Sequence, residues 1–199
     1  FCGTGPLVEA FQKGEDIHRR TAAEVFGVMP ALVTAEQRRA AKAINFGIVY
    51  GMSAFRLGRE LRIPRGRAQA YMNQYFDRYP QVINYMEEAK RKAHDLGYAE
   101  TLYGRRRVLH ALKSSKRVER EAAERVAINT PVQGSAADII KAAMIGVHAL
   151  LTKKHPDSHL ILQVHDELVL EVKADELDEV RLGVEHEMTN IVKLCVPLI

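Results

Sequence analysis

The sequence predicts an α+β fold that is mostly helical and includes a small antiparallel sheet. Apolar residues recur at helical spacing between capping residues over most of the 199 residues. Two β-rich runs, at 159–164 and 168–172, are joined by a short polar turn and so predict a β-hairpin. Hydrophobic residues make up 47% of the chain, which excludes a disordered protein because enough apolar surface is available to form a core.

The N-terminal half is predicted to consist of short helices that begin at capping residues. Asp16 precedes the first of them, and Gly27 ends it. Thr34 and Gln37 form the capping-box pattern of a longer helix. The predicted helices cover 17–26, Thr34 to about Tyr50, Ser53 through Leu61, Pro64 to about Tyr79, and Pro80 to Gly97.

The C-terminal half is predicted to hold the strands and further helices. Proline lacks a backbone donor, so Pro131 is expected to separate two helices. The predicted elements are a strand-like segment at 98–103, helices at about 115–130 and 131–154, the hairpin, and a last helix at about 175–194. Neither a repeat nor a long linker divides the chain, so a single fold is expected.

The charge is distributed unevenly along the chain. The formal net charge is +4, but basic residues predominate at 36–67 and 104–125, and acidic residues predominate at 166–187. This pattern indicates a phosphate-binding surface together with a carboxylate cluster that could hold a metal ion. The alternative is that each charged stretch is the solvated face of a helix.

Four residues repeat at every fourth position of the predicted helix from Thr34. Arg38 and Lys42 lie toward its N-terminus, and Phe46 and Tyr50 follow toward its C-terminus. Residues four apart lie on one helix face, and the helix N-terminus favours anions. This order fits a nucleoside triphosphate, with phosphates on the cations and sugar and base on the rings. The alternative is an amphipathic helix whose rings are buried in the core.

A second candidate site lies at the turn of the predicted hairpin. His165, Asp166 and Glu167 are placed there between two apolar runs. Carboxylates on a rigid turn suit Mg²⁺, which prefers oxygen ligands. Asp is also common in turns that bind nothing, which is the alternative. No second His or Cys lies at the spacing of a zinc site, so zinc is not expected.

A third pattern lies around Pro131. Arg125, Asn129 and Gln133 are four residues apart across the predicted helix break. Guanidinium and amide side chains suit hydrogen bonds to sugars and base edges. A solvated helix face would give the same spacing.

The cysteine content, the apolar runs and the chain ends indicate the compartment of the protein and the completeness of the chain. The two cysteines, Cys2 and Cys195, lie near opposite ends, so a reducing compartment is expected. No apolar run approaches the roughly 20 residues that span a bilayer, so no membrane partner is expected. The chain begins at Phe1 and stops within the apolar run 196–199. A fragment that is incomplete at both ends is therefore expected.

In this order and at these spacings, the motifs resemble those of family A DNA polymerases, the bacterial DNA polymerase I type. The segment Arg38-Arg39-Ala-Ala-Lys42-x-x-x-Phe46-x-x-x-Tyr50-Gly51 resembles motif B of the fingers. His165-Asp166-Glu167 between two strands resembles motif C of the palm. Further similar segments are 16–18, 104–107, 121–125 and 131–138. The resemblance covers essentially the whole chain.

The resemblance implies a right-hand polymerase fold and a role for each motif residue. Mainly fingers are expected in about 1–100, and mainly palm, with part of its antiparallel sheet, in about 101–199. The implied catalytic residues are Asp166, Glu167 and Lys42, with Asp166 as the Mg²⁺ ligand. The implied nucleotide contacts are His18, Arg38, Lys42, Phe46 and Tyr50. The implied DNA contacts are Arg39, Arg105, Arg125, Asn129, Gln133 and His165.

The family's activity is template-directed addition of deoxynucleotides to a primer 3′ end by two-metal phosphoryl transfer, in DNA replication and repair. The implied partners are primer–template DNA and deoxynucleoside triphosphates, for a monomer in the bacterial cytoplasm near the nucleoid. Phage and organellar origins stay open. The family's motif A, which carries the other metal-binding Asp, has no counterpart in this chain. Because two-metal transfer needs carboxylates that bridge both metals, the fragment itself is expected to be inactive.

Two other functions stay open at this point. A phage-type single-subunit RNA polymerase shares the palm and a Lys and Tyr on the corresponding helix, but the segments 16–18 and 131–134 favour the DNA enzyme. The other possibility is a nucleic-acid-binding remnant that no longer catalyses. Retention of Lys42, Tyr50 and Asp166 argues against it, because binding alone would not require them.

Overall fold

The structure is a computed structural model that describes residues 1–198. By their internal contacts these residues form two units, Phe1–Val132 and the residues from Gln133 onwards. The expected assignment of about 1–100 to fingers and about 101–199 to palm stays a prediction.

The first unit is built mainly from helices, as the sequence predicts. Its helices are α1 Pro6–Gln12, α2 Ile17–Phe26, α3 Ala35–Val49, α4 Ala54–Leu61, α5 Arg65–Arg78 and α6 Pro80–Leu96. The strands β1 Tyr98–Glu100 and β2 Arg106–Val108 follow, and then the start of α7 Arg117–Lys154. Short 3₁₀ turns cover Pro30–Leu32 and His110–Lys113. Helix α1 and both turns carry no signal that the sequence analysis used.

Capping side chains fix where the helices around the candidate site begin. The Asp16 carboxylate accepts a hydrogen bond from the Arg19 backbone N–H at 3.0 Å and so caps α2. Thr34 and Gln37 form the predicted capping box of α3, at 3.2 and 2.9 Å. Gly27 ends α2 in the left-handed conformation, with φ of 65°. These local signals explain why the boundaries were predictable.

The core of the first unit determines which face of α3 is exposed. Ala41, Ile44 and Ile48 are fully or almost fully buried. Ile44 and Ile48 pack in a cluster with Leu57 of α4 and Tyr75 of α5, among others. Because these positions are three or four residues apart, they define one buried side of α3. The opposite side of the helix is left for solvent.

The predicted break at Pro131 is wrong, because α7 is one helix of 38 residues with this proline inside it. Proline removes one N–H and disturbs the carbonyls three and four residues before it. Side-chain hydroxyls donate in this turn: Thr130 to the Val126 carbonyl at 2.7 Å, and Tyr85 to the Ile128 carbonyl at 2.7 Å. The second of these donors comes from α6, so the local sequence cannot reveal it.

The strand-like segment at 98–103 is only partly a strand. β1 ends at Glu100, and residues 101–105 turn the chain into β2. The two strands are antiparallel, with Glu100 opposite Arg106. The Arg106 side chain bonds Glu100 at 2.7 Å and lies 4.6 Å from the centre of the Tyr98 ring. This pairing explains why a basic stretch without a β pattern forms a strand.

The second unit contains the C-terminal part of α7, the predicted hairpin and a last helix. The hairpin strands are β3 His159–Val164 and β4 Glu167–Glu171, and the last helix is α8 Leu177–Asn190. The last helix is shorter than predicted, because a 3₁₀ turn covers Ala174–Glu176 and the helix ends four residues early. The core of the second unit includes Val147 and Leu151 of α7 and Val180 of α8.

By length and composition α7 could cross a membrane, which differs from the expectation drawn from the sequence. A helix in the core of a protein can have the same length and composition. Pro131 also lies within it. No membrane role is assigned to this helix.

Candidate functional site

The stripe formed by Arg38, Lys42, Phe46 and Tyr50 on α3 is a continuous surface. Phe46 is 46% exposed and Tyr50 is 39% exposed, although both are large aromatic residues. Their rings stack at 6.0 Å between centroids, and Lys42 Nζ lies 5.9 Å from the centroid of the Phe46 ring. The interpretation of these rings as core residues is therefore wrong. Instead, the surface can receive a planar group beside a cation.

The N-terminal end of this surface is joined to α2 by an ion pair. The Arg38 Nε donates to Asp16 Oδ2 at 2.7 Å. This bond with Arg38 is the largest influence on Asp16 and lowers the pKa of its carboxyl group. A guanidinium carries five N–H donors, so this bond leaves others for phosphate oxygens. Asp16, which also caps α2, thus positions Arg38 beside His18.

His18 of α2 lies against the centre of the stripe. Its ring centroid is 5.7 Å from that of Phe46. Burial lowers the pKa of His18, and the neighbouring cations Arg38 and Lys42 lower it further, whereas Asp16 acts in the opposite direction. The imidazole is therefore neutral at neutral pH. The sequence predicts His18 on a neighbouring helix, and the structure brings it to the stripe.

Two residues that the sequence analysis missed hold His18 in place. Asn45 is buried, and its Nδ2 lies 3.0 Å from His18 Nδ1. The Thr21 hydroxyl donates to Asn45 Oδ1 at 3.0 Å. An Asn in the interior of a helix is unusual, because its side chain competes for backbone hydrogen bonds. That was the one available signal.

The carboxylates of the second unit lie at a two-residue hairpin turn. Val164 pairs with Glu167, so His165 and Asp166 form the turn and Glu167 begins β4 rather than lying in the turn. Asp166 and Glu167 are both exposed. Two adjacent exposed carboxylates fit Mg²⁺, which is commonly held by one or two carboxylates together with phosphates and water. Within residues 1–198, no group of three metal-ligating side chains is assembled.

His165 has a backbone conformation that only glycine adopts without strain. Its φ is +54°, and the left-handed region costs other residues about 1–2 kcal/mol. The Gln163 side chain donates to the His165 carbonyl and so helps to hold the turn. Strain of this kind is often found at functional sites.

The substitution His165→Gly is expected to stabilise the second unit by about 1 kcal/mol, because glycine adopts positive φ without a steric cost. Denaturant unfolding followed by circular dichroism measures this change. Exposed His159, which pairs with Glu171 at the start of β3, provides the matched control, since His159→Gly should be destabilising. A decrease in stability for His165→Gly would contradict the assigned strain.

Arg125 and Asn129 lie on α7 in the first unit. Gly51 has a φ of +71°, and a Cβ there would lie only 3.1 Å from the Arg125 Cγ. Glycine thus allows Arg125 to approach the end of α3. The buried Asn129 Oδ1 accepts no hydrogen bond within residues 1–198, which leaves an acceptor for an external donor. Gln133 is exposed on the same helix, four residues further along.

The remaining predicted DNA contacts are exposed cations. Arg39 is exposed on α3, next to Arg38 of the stripe. Arg105 is exposed in the turn between β1 and β2, and its backbone N–H is held by the Thr101 hydroxyl at 3.1 Å. Arg106 of the same basic run is engaged with Glu100. The basic stretch is therefore only partly available for phosphate.

Comparison with known proteins gives the same family over the full length. The family model for DNA polymerase family A matches residues 1–199. DNA polymerase I of Pseudomonas aeruginosa is 50% identical over 193 residues, which is 97% of this chain and 21% of that protein. The thermostable DNA polymerase I of Thermus filiformis is 48% identical over 198 residues, which is 100% of this chain and 24% of that protein.

A solved structure is similar in fold as well as in sequence. It is the POL domain of Pol1 from M. smegmatis in complex with DNA primer–template and dNTP. The TM-score is 0.93 at 46% identity, over 97% of this chain and 34% of that one. This similarity confirms the predicted α+β fold of a polymerase-domain fragment. The chain spans about a fifth of the length of the curated relatives that it matches.

Proposed function

We propose that the protein of which this chain is a part adds deoxynucleotides to a primer under the direction of a template, because the chain belongs to DNA polymerase family A. The observation that carries the proposal is the exposed surface of α3, where Arg38 and Lys42 precede the stacked rings of Phe46 and Tyr50. The identity of about 50% with proteins named DNA polymerase I supports it.

The α3 surface would bind the incoming nucleotide. Arg38 and Lys42 supply positive charge for the triphosphate. Catalysis of phosphoryl transfer depends on such electrostatic stabilisation together with positioning. Neutral His18 adds a hydrogen-bond donor beside them. Phe46 packs on the sugar and base, and Tyr50 occupies the template-base position until the fingers close. These roles are carried over from the family's motif B.

The hairpin turn would bind the metal ion. Asp166 is the proposed Mg²⁺ ligand, and Glu167 supports it from the start of β4. Mg²⁺ held there would neutralise charge on the phosphates and favour ionisation of the primer 3′ hydroxyl. The exposed turn leaves the carboxylates open to solvent and substrate. The two-metal mechanism requires a second carboxylate from motif A, so this chain provides one part of the metal site.

Six residues are proposed to contact the primer–template. Arg125, Asn129 and Gln133 are proposed to bind the minor-groove side of the nascent pair, and the buried acceptor of Asn129 suits a base-edge donor. His165 is proposed to contact the primer terminus. Arg39 and Arg105 are proposed to bind template or duplex backbone. We also propose that the protein acts as a monomer in the bacterial cytoplasm, without a membrane partner.

Primer extension tests the proposal directly. We define the longer chain as this sequence extended upstream through the family's motif A and downstream through the rest of the palm. With Mg²⁺ and four deoxynucleotides, the longer chain should extend a primer and the 199-residue chain should not. Robust extension by the 199-residue chain would show that it needs no further carboxylate. Failure of the longer chain would contradict the proposed activity.

The RNA polymerase alternative predicts a different substrate preference. The relatives named DNA polymerase I support the DNA enzyme. In the longer chain, deoxynucleotides should therefore be used far better than ribonucleotides. The opposite preference would favour the RNA enzyme, and binding of primer–template without extension by either set would favour a non-catalytic protein.

The substitution Phe46→Tyr is expected to ease incorporation of dideoxynucleotides. The added hydroxyl would lie where the family meets the 3′ side of the sugar and could replace the missing 3′ hydroxyl of the substrate. The ratio of dideoxynucleotide to deoxynucleotide incorporation by the longer chain measures this effect. Phe55→Tyr, at an exposed phenylalanine of α4 outside the stripe, is the matched control. An unchanged ratio in Phe46→Tyr would remove Phe46 from the sugar site.

A further inference from the structure

Asn45 is a buried polar residue on the core side of α3. It is 7% exposed and adjoins Ile44, which is fully buried. Asn45 follows Lys42 by three residues, so it lies at the edge of the stripe, where the buried side of α3 begins. A buried amide must find hydrogen-bond partners, because leaving it unpaired is costly. Asn45 finds both of its partners on α2.

In the structure, each end of the Asn45 amide has one hydrogen-bond partner. Thr21 is fully buried, and its hydroxyl donates to Asn45 Oδ1 at 3.0 Å. The other end of the amide, Nδ2, lies 3.0 Å from His18 Nδ1. Since an amide NH₂ group can only donate, His18 Nδ1 must accept. A neutral imidazole that accepts at Nδ1 carries its proton at Nε2.

The surrounding charges favour this neutral form. Burial of His18 together with Arg38 and Lys42 lowers the pKa of the imidazole, and Asp16 alone raises it. Phe46, the other close neighbour, is uncharged. The imidazole is therefore neutral, and the hydrogen bond from Asn45 selects between its two tautomers.

We propose that Asn45 is a positioning residue: its amide donates to His18 Nδ1, keeps the imidazole in the Nε2–H tautomer, and so presents His18 to the triphosphate as a neutral hydrogen-bond donor. The triphosphate part rests on the proposed function, whereas the tautomer does not. Thr21 acts one step further out, because its hydroxyl keeps the amide turned toward His18.

A neutral donor at this place has a consequence for pH dependence. Phosphate binding by an imidazolium would weaken as the pH rises through the ordinary pKa of His, because the imidazolium loses its charge. A neutral Nε2–H donor keeps its proton through the same range. Above the ordinary His pKa, between about pH 7 and 8, the Michaelis constant for a deoxynucleotide should therefore be nearly constant.

Nitrogen NMR of the longer chain, labelled with ¹⁵N-histidine, measures the tautomer directly. The chain described here contains eight histidines, and the signals that disappear in His18→Gln assign His18. Asn45→Asp keeps the shape of the side chain but cannot donate to Nδ1. We expect Nδ1 of His18 to be unprotonated in the wild type and protonated in Asn45→Asp. Protonated Nδ1 in the wild type, or no change in the variant, would overturn the proposal.

Thr21 provides a matched pair of variants. Thr21→Ser keeps the hydroxyl and should keep the single tautomer, whereas Thr21→Val has nearly the same shape without the donor and should lose it. Thermal unfolding establishes that both variants are folded. Mixed tautomers in Thr21→Ser, or an unchanged spectrum in Thr21→Val, would remove Thr21 from the arrangement.

Kinetics test the link from Asn45 to the nucleotide. In Asn45→Asp, the deoxynucleotide KM should become pH-dependent, while primer–template affinity stays unchanged. In the double variant with His18→Gln and Asn45→Asp this pH dependence should be absent, because coupling disappears when one partner is absent. Persistence of the pH dependence without His18 would overturn the proposal. A longer chain that does not extend primers would contradict the proposed function but leave the NMR result intact, so the two failures are distinguishable.

Discussion

Replacement of Asp166 by Asn in the longer chain is expected to reduce primer extension by about 10³-fold or more, because catalysis of phosphoryl transfer is mostly positioning and charge neutralisation. Asn has the same shape and is equally favoured in turns, so the hairpin should stay folded. The substitution removes one anionic oxygen from the proposed Mg²⁺ ligand set. The loss should therefore appear in the chemical step, measured by single-turnover kinetics, and not in primer–template or nucleotide affinity.

Asp157→Asn is the matched control for this substitution. Asp157 is exposed in the turn that precedes β3, and thus belongs to the same unit and carries the same charge. If both variants lose activity equally, the effect comes from net charge and not from metal binding. If Asp166→Asn extends primers normally, Asp166 is not a catalytic ligand.

Replacement of Lys42 by Ala in the longer chain is expected to lower kcat/KM for deoxynucleotides by about 10²–10³-fold, the usual effect of removing one group that stabilises developing charge. Lys42 lies 5.9 Å from the centroid of the Phe46 ring and is exposed, so its loss should not disturb the core. Primer–template affinity should remain nearly unchanged, because the proposed partner of Lys42 is the triphosphate.

Lys13→Ala is the matched control, since Lys13 is an exposed lysine at the end of α1 in the same unit. Filter-binding titrations over a range of salt concentrations separate the two kinds of phosphate. Equal losses of DNA and nucleotide binding in Lys42→Ala, with a smaller dependence of DNA affinity on salt, would mean that Lys42 binds the DNA backbone instead.

Local signals in the sequence were sufficient for the elements that carry the proposed site. Asp16, the Thr34–Gln37 capping box and the regular spacing of α3 depend on residues within one helical turn. The hairpin was readable because two apolar runs flank a two-residue polar turn. The spacing also placed Arg38, Lys42, Phe46 and Tyr50 on one face, although it left their exposure undecided.

Tertiary packing decided what spacing left open. Residues of α4 and α5 cover the Ile44 and Ile48 side of α3, so the rings of Phe46 and Tyr50 are exposed. Helix α7 continues through Pro131, with the Tyr85 hydroxyl from α6 donating in the disturbed turn. In each case the deciding group is distant in sequence, and sequence periodicity contains no information about it.

The sequence by itself thus determined the helices α2 to α6, the hairpin, the family and the identity of the candidate residues. Only the tertiary structure decided their surroundings: that Arg38 is held by Asp16, that Asn45 faces His18, and that the Asn129 acceptor is left open within residues 1–198. The physical reason is range. Capping and periodicity act over about four residues, whereas burial, charge and hydrogen-bond direction at a site depend on groups that folding brings together from separate helices.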